Sequence, residues 1–259
     1  MRKRKTLKQP LRTLLPLAVW LIVWQIAAMI VNKVLLIPTP LEVATSLKNL
    51  VATALFWKTA GMTLLRIFAG ALAGCIAGCA LAILTSVSGI ADCVISPVIR
   101  LVRATPVASF IILLLLWFAK SKVPAVVSCL VVIPIVWENV SAGIGNTDPL
   151  LLEMADAYAF GKAKTMRYVY LASVRPYLLS GICTAIGLAW KSGVAAEVLC
   201  SPKLAIGTQI YNSKLYLETP ELFAWTLVVI LLSLIFEKTV RVLLKPDSVK
   251  AGGKEAVRK

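Results

Sequence analysis

Several stretches of this chain are too long and too uniformly apolar for a water-soluble domain. Crossing the hydrocarbon core of a bilayer takes about 20 helical residues at about 1.5 Å each. Runs of that kind recur here, first from Thr13 to Val31 and then near 60 to 85, 104 to 119, 123 to 145, 177 to 197 and 222 to 244. Composition agrees: of 259 residues, 59% are hydrophobic and only 15% charged, which leaves too little polar surface for a soluble fold of this length. The expected architecture is an all-α polytopic integral membrane protein with about six transmembrane helices, an even number that puts both termini on one side.

A formal net charge of +16 invites a nucleic-acid reading, since clustered Lys and Arg neutralise phosphates. The charges instead lie between the apolar runs, where they report orientation, because cytoplasmic segments near span ends carry the basic excess. The N-terminus holds Arg2, Lys3, Arg4, Lys5, Lys8 and Arg12, the segment 146 to 176 holds Lys162, Lys164, Arg167 and Arg175, and the C-terminus is equally basic. Two of the connections on the other side carry only Lys120 with Lys122 and Lys203 with Lys214. This places 1–12 as a basic cytoplasmic N-terminus, 13–245 as the membrane domain with a cytoplasmic loop at 146–176, and 246–259 as a basic cytoplasmic tail.

Other chemistries find little support. The six cysteines, Cys75, Cys79, Cys93, Cys129, Cys183 and Cys200, form no C-x-x-C pair and mostly sit inside apolar runs as small hydrophobes. Histidine is absent, which removes the commonest proton relay and metal ligand, and no cofactor is implied. There is no Gly-x-x-x-x-Gly-Lys-Ser/Thr phosphate loop, so any nucleotide chemistry belongs to another chain.

Local patterns sharpen the organisation. Ile37-Pro38-Thr39-Pro40 reads as an extended linker, and Leu41 to Lys58 as a short surface helix. The third span is preceded by a helical run around Ile95 to Arg103 and broken near Pro106. Gly70, Gly74 and Gly78 recur every four residues, a stripe that lets another backbone approach closely. Between spans four and five, Asp148 can cap a helix whose first residue is Pro149 and which Gly161 would end. On that helix Leu151, Met154, Ala155 and Tyr158 share one apolar face, suited either to lipid headgroups and the protein's own spans or to a partner.

The residues Glu153-Met154-Ala155, then Ala159, Leu171 and Pro176, resemble the cytoplasmic EAA signature of binding-protein-dependent ABC importer permeases. Met154 stands where the signature has Ala, Ala159 where it has Gly, and Ala172 where it has the first Pro. The resemblance extends to Pro38-Thr39-Pro40, to Arg103-Ala104-Thr105-Pro106 and to Ala189-Trp190-Lys191-Ser192-Gly193-Val194-Ala195-Ala196-Glu197, which are similar to the nitrate, taurine and aliphatic-sulfonate branch. It implies a type I importer permease (MetI-like) fold in a bacterial inner membrane and a homodimer working with cytoplasmic ABC ATPase subunits and an extracytoplasmic solute-binding protein. It also implies an ATPase-coupling helix carrying Glu153, Met154, Ala155, Ala159 and Gly161. Such a subunit moves a small hydrophilic solute, of nitrate, sulfonate, taurine or vitamin-precursor type, and performs no chemistry on it. The alternative is an ATP-independent secondary transporter or channel that uses its intramembrane charges directly. A membrane-embedded enzyme would need a convergent cluster of reactive side chains.

Charged side chains within a span cost about 2.5–3.5 kcal/mol each near mid-bilayer, which makes Arg66, Glu138 and Lys191 candidates for function. Arg66 is within snorkelling reach of the headgroups and reads as an anchor. Glu138 has two readings, a cavity or gating residue and an internally packed one. Lys191 suits either attraction of an anionic solute or a pairing with Glu138, for which the depths differ by about 10 Å. Trp137 and Trp190, which flank these charges, are translocation-path candidates with packing as the alternative.

Overall fold

The structure, a computed structural model, describes residues 8–244. The expected tail at 246–259 and most of the expected N-terminal segment 1–12 lie outside them. The helices are α1 (Lys8–Val31), α2 (Pro40–Val51), α3 (Ala54–Val87), α4 (Gly89–Ala104), α5 (Val107–Leu114), α6 (Val123–Gly145), α7 (Pro149–Ala157), α8 (Lys162–Thr165), α9 (Leu171–Cys200), α10 (Ile206–Leu215) and α11 (Thr219–Leu243). A π-helical turn, Met166–Tyr170, joins α8 to α9. All regular structure among the described residues is helical, as the sequence requires.

The expected spans take different forms. Among the described residues four helices are long and apolar enough to cross a membrane: α3, α6, the continuous segment Lys162–Cys200, and α11. The run expected as a span at 104 to 119 is not a straight helix; α4 and α5 qualify only as a pair, bent by 102°. The cause is local, because Pro106 has no N–H to donate and biases Thr105 toward extended backbone, where it is found at φ −77°, ψ 130°. In α1, Ala18–Val31 is an apolar helix among the described residues.

The chain divides into two compact units. The first comprises residues up to Thr63 together with Ser201–Ile230. Its α2 opens with the Thr39 hydroxyl accepting from Glu42 N–H while Glu42 accepts from Thr39 N–H, a reciprocal cap that fixes the helix start just after the proline linker. Trp24 stacks on Phe223 and Phe56 on Trp225, and Thr63 accepts from the Ile206 N–H at 3.0 Å. Aromatic faces and satisfied backbone ends hold this unit together.

The second unit comprises Leu64–Cys200 and the chain from Leu231 on. Its centre is α6 packed along α9. Ser128 faces Ala189, Asn139 faces Gly181, and Gly143 faces Val174, so the two helices run antiparallel. Gly70, Gly74 and Gly78 face Ala125, Cys129 and Ile133 in that order, so α3 and α6 run parallel. Parallel neighbours decide what the bent pair does. A re-entrant loop returns to the side it came from and would leave α6 antiparallel to α3; the segment between them therefore carries the chain back across the layer. Ile111 and Leu114 of α5 complete a buried cluster with Val123 and Val127 of α6 and Ala196 and Cys200 of α9.

Candidate functional site

Within the second unit α4, α5, α6 and α9 surround a cavity of about 380 Å³. Its polar lining is Arg103, Thr105, Glu138, Asn139, Thr184 and Ser192, and the rest is apolar, including Phe110 and Pro134. Arg103, in the last turn of α4, donates to the Glu138 carboxylate on α6 in an ion pair whose side chains are 61% and 52% exposed. Glu138 thus has Arg103 as its partner, where the sequence offered Lys191. The bend after Ala104 brings Arg103, read from the sequence as the end of a helical run ahead of the third span, alongside α6. Lys191 is exposed and does not line the cavity.

Neither tryptophan lines the cavity. Trp137 donates its indole N–H to the Thr85 hydroxyl at 3.0 Å, and Trp190 is buried with its ring against Phe236. Arg66 is nearly buried, and its guanidinium lies 3.5 Å from the carboxylate of Glu197, which is fully buried. That contact corrects the reading of Arg66 as a snorkelling anchor. Glu197 was missed as an intramembrane charge because the expected span stopped there, whereas α9 runs on to Cys200.

The glycine stripe meets α6 at close range. A Cβ at Gly70, Gly74 or Gly78 would sit 2.1, 2.6 or 2.9 Å from the carbonyl oxygen of Ala125, Cys129 or Ile133. Gly193 of α9 is confined likewise by Ile67 and by the Ser128 hydroxyl.

At the turn between α6 and α9 lies α7. Asp148 caps it, accepting from Leu150 N–H at 2.9 Å, and Pro149 is its first residue. Its end differs from the expectation at Gly161. Phe160 N–H donates to Ala155 O at 2.8 Å and Ala159 N–H to Asp156 O at 2.9 Å, the paired bonds of a Schellman motif closed by a left-handed residue. That residue is Ala159, at φ +50°. Gly161 has an ordinary φ of −69° and starts α8 instead. Of the face expected to be apolar only Ala155 is buried; Leu151, Met154 and Tyr158 are exposed, as are Leu150 and Glu153.

An alanine in the left-handed region costs about 1 kcal/mol that glycine does not. Ala159→Gly is therefore expected to firm the end of α7, slowing amide exchange across 151–158 by about fivefold. Unchanged or faster exchange there would contradict the motif.

With that geometry in place, the similarity to known proteins becomes specific. Residues 70–244 match the family described as binding-protein-dependent transport system inner membrane component. The chain belongs to this family. It is 25% identical over 237 residues to the taurine transport system permease protein of Escherichia coli, covering 88% of this chain and 83% of that one. To the putative aliphatic sulfonates transport permease protein of Bacillus subtilis it is 26% identical over 233 residues, 89% of this chain and 83% of that one. A nitrate import permease protein of Leptolyngbya laminosa is 30% identical over 148 residues, 56% of this chain and 52% of that one. In three dimensions the chain superposes on the crystal structure of an amino acid ABC transporter with histidines at a TM-score of 0.58 and 21% identity, covering 71% of this chain and 87% of that one, which establishes the shared fold. The chain is thus a multi-pass transport permease of the ABC importer class, and its all-helical fold is of the MetI-like type.

Two features of this permease gave no sequence signal. The π-helical turn Met166–Tyr170 has no composition of its own, and the left-handed Ala159 lacks the glycine that would mark it.

Proposed function

We propose that this permease lines the path of a small monovalent oxyanion and is driven inward by a separate cytoplasmic ATPase that docks on α7. The observation that carries the reading is the exposed surface of α7 and its C-terminal end, where Leu150, Leu151, Met154 and Tyr158 are all exposed, as is Glu153. Apolar side chains on a short, capped helix at the turn of a helix pair are costly to leave in water, and a groove on a partner removes that cost. The basic residues around it favour the cytoplasmic side, with both termini there as well. Two copies of the chain complete the pathway, a solute-binding protein delivers the solute from outside, and this subunit does no chemistry on it. The oxyanion class rests on the taurine, sulfonate and nitrate relatives and on Arg103, the single cation of the cavity lining among the described residues.

The test is Glu153→Lys in the full assembly, reconstituted with its ATPase and binding protein. Glu153 is exposed, so the chain should insert and melt as the wild type does. Co-purification of the ATPase and ATP-driven uptake should each fall about tenfold or more, as for a charge reversed at the centre of an interface. Normal assembly with full uptake would remove α7 as the coupling element, and uptake by this chain alone without ATP would favour a secondary transporter or channel.

A further inference from the structure

We infer that Arg103 is the oxyanion-binding residue of the α4–α6–α9 cavity and that Glu138 is a built-in competitor which occupies Arg103 when no solute is there. The inference rests on the transport reading above and names the atoms that meet the solute.

Both side chains are more than half exposed although they belong to elements that cross the membrane. Charges facing lipid are heavily penalised, so this surface faces water or protein, and the cavity beside it is where water reaches them. The neutral donors of the lining are largely committed. Thr105 donates to Leu101 O at 2.8 Å, Thr184 to Ser180 O at 3.1 Å, and Asn139 spends one amide proton on Ile135 O at 2.8 Å. Among the described residues the guanidinium is the lining's only cation, and its planar fork matches the two oxygens of a carboxylate, a nitrate, a bicarbonate or a sulfonate alike.

The Glu138 carboxylate therefore serves as a chemical stand-in for the solute. A monovalent anion that takes its place on Arg103 leaves Glu138 as an unpaired negative charge within the same cavity, and that repulsion works against retention. A pathway residue needs such weakness, since a solute must enter favourably and still leave. A divalent anion would meet the same carboxylate with twice the repulsion.

The experiment uses the full chain alone in nanodiscs, without ATPase or binding protein, and reads line broadening of 15N-nitrate and 13C-methanesulfonate, with 15N-urea as the planar neutral control. The wild type should broaden the anions weakly and urea not at all. Glu138→Gln should tighten anion binding by about tenfold or more, the scale of one charge-assisted hydrogen bond released from competition. Arg103→Gln should abolish the broadening. The double variant Arg103→Gln/Glu138→Gln carries no lone charge, guards against misfolding as an explanation, and should remain silent. Anion binding that survives Arg103→Gln, or that weakens in Glu138→Gln, overturns the inference. Because the measurement needs no motor, a failure here is separate from a failure of ATP coupling at Glu153.

Discussion

Gly70→Val is expected to prevent accumulation of folded protein. A Cβ at this position would lie 2.1 Å from the Ala125 carbonyl oxygen, and the obstacle is backbone, which cannot rotate aside. Relief requires α3 and α6 to separate, and that separation also removes the contacts at Gly74 and Gly78, which approach α6 almost as closely. Overpacking a tight contact costs about 1–3 kcal/mol and sometimes more; with three successive contacts on one stripe the upper end applies. Gly61, on the same helix, has nothing within 4 Å of its would-be Cβ, so Gly61→Ala should be neutral or stabilising by about 0.5–1 kcal/mol. Thermal unfolding of the two variants in detergent, followed by size-exclusion chromatography, provides the comparison. A Gly70→Val protein as stable as Gly61→Ala would show that the stripe does not set the approach of α3 to α6.

The second large effect is expected at Glu197. Its carboxylate is fully buried on α9 and faces the nearly buried guanidinium of Arg66 on α3. Removing one partner of a buried pair takes that countercharge from the other in a poor solvent and costs about 3–5 kcal/mol, whereas replacing both by apolar residues of similar volume is often close to neutral. Glu197→Ala should therefore unfold at markedly lower temperature than the wild type, and Arg66→Leu/Glu197→Leu should recover most of the loss. Single variants that lose less than about 1 kcal/mol, or a double variant worse than either single, would mean that the pair does not hold α3 to α9.

The same two sites show what a sequence can reveal. The glycine stripe was legible because small residues at four-residue spacing have one physical use in an apolar helix. Its partner was not, since α6 contributes backbone carbonyls, and backbone is the same in every sequence. Arg66 and Glu138 were visible as charges inside apolar runs, but their partners depend on geometry that linear depth conceals. Arg103 comes beside Glu138 only because the chain bends by 102° after α4, and Glu197 becomes buried only because α9 continues to Cys200. The start of α7 was readable at Asp148 and Pro149, whose capping chemistry is local. Its end was not, because Ala159 adopts a conformation that its side chain disfavours and the nearby Gly161 carries the more obvious signal.

The placement of α7 at the turn joining α6 to α9 has a mechanical consequence. From the end of α6 at Gly145 back to Glu138 is about 10 Å of unbroken helix, and α9 adds Thr184 and Ser192 to the same lining. If α7 is the docking element proposed above, a push at the turn would reach two walls of the chamber through stiff rods, while Arg103 hangs from a third wall beyond the Thr105–Pro106 corner. The hairpin would then act as a lever whose short arm ends at the carboxylate. Its stroke would be registered as the gap between two opposite charges, so that rocking the bundle and freeing the cation would be one displacement.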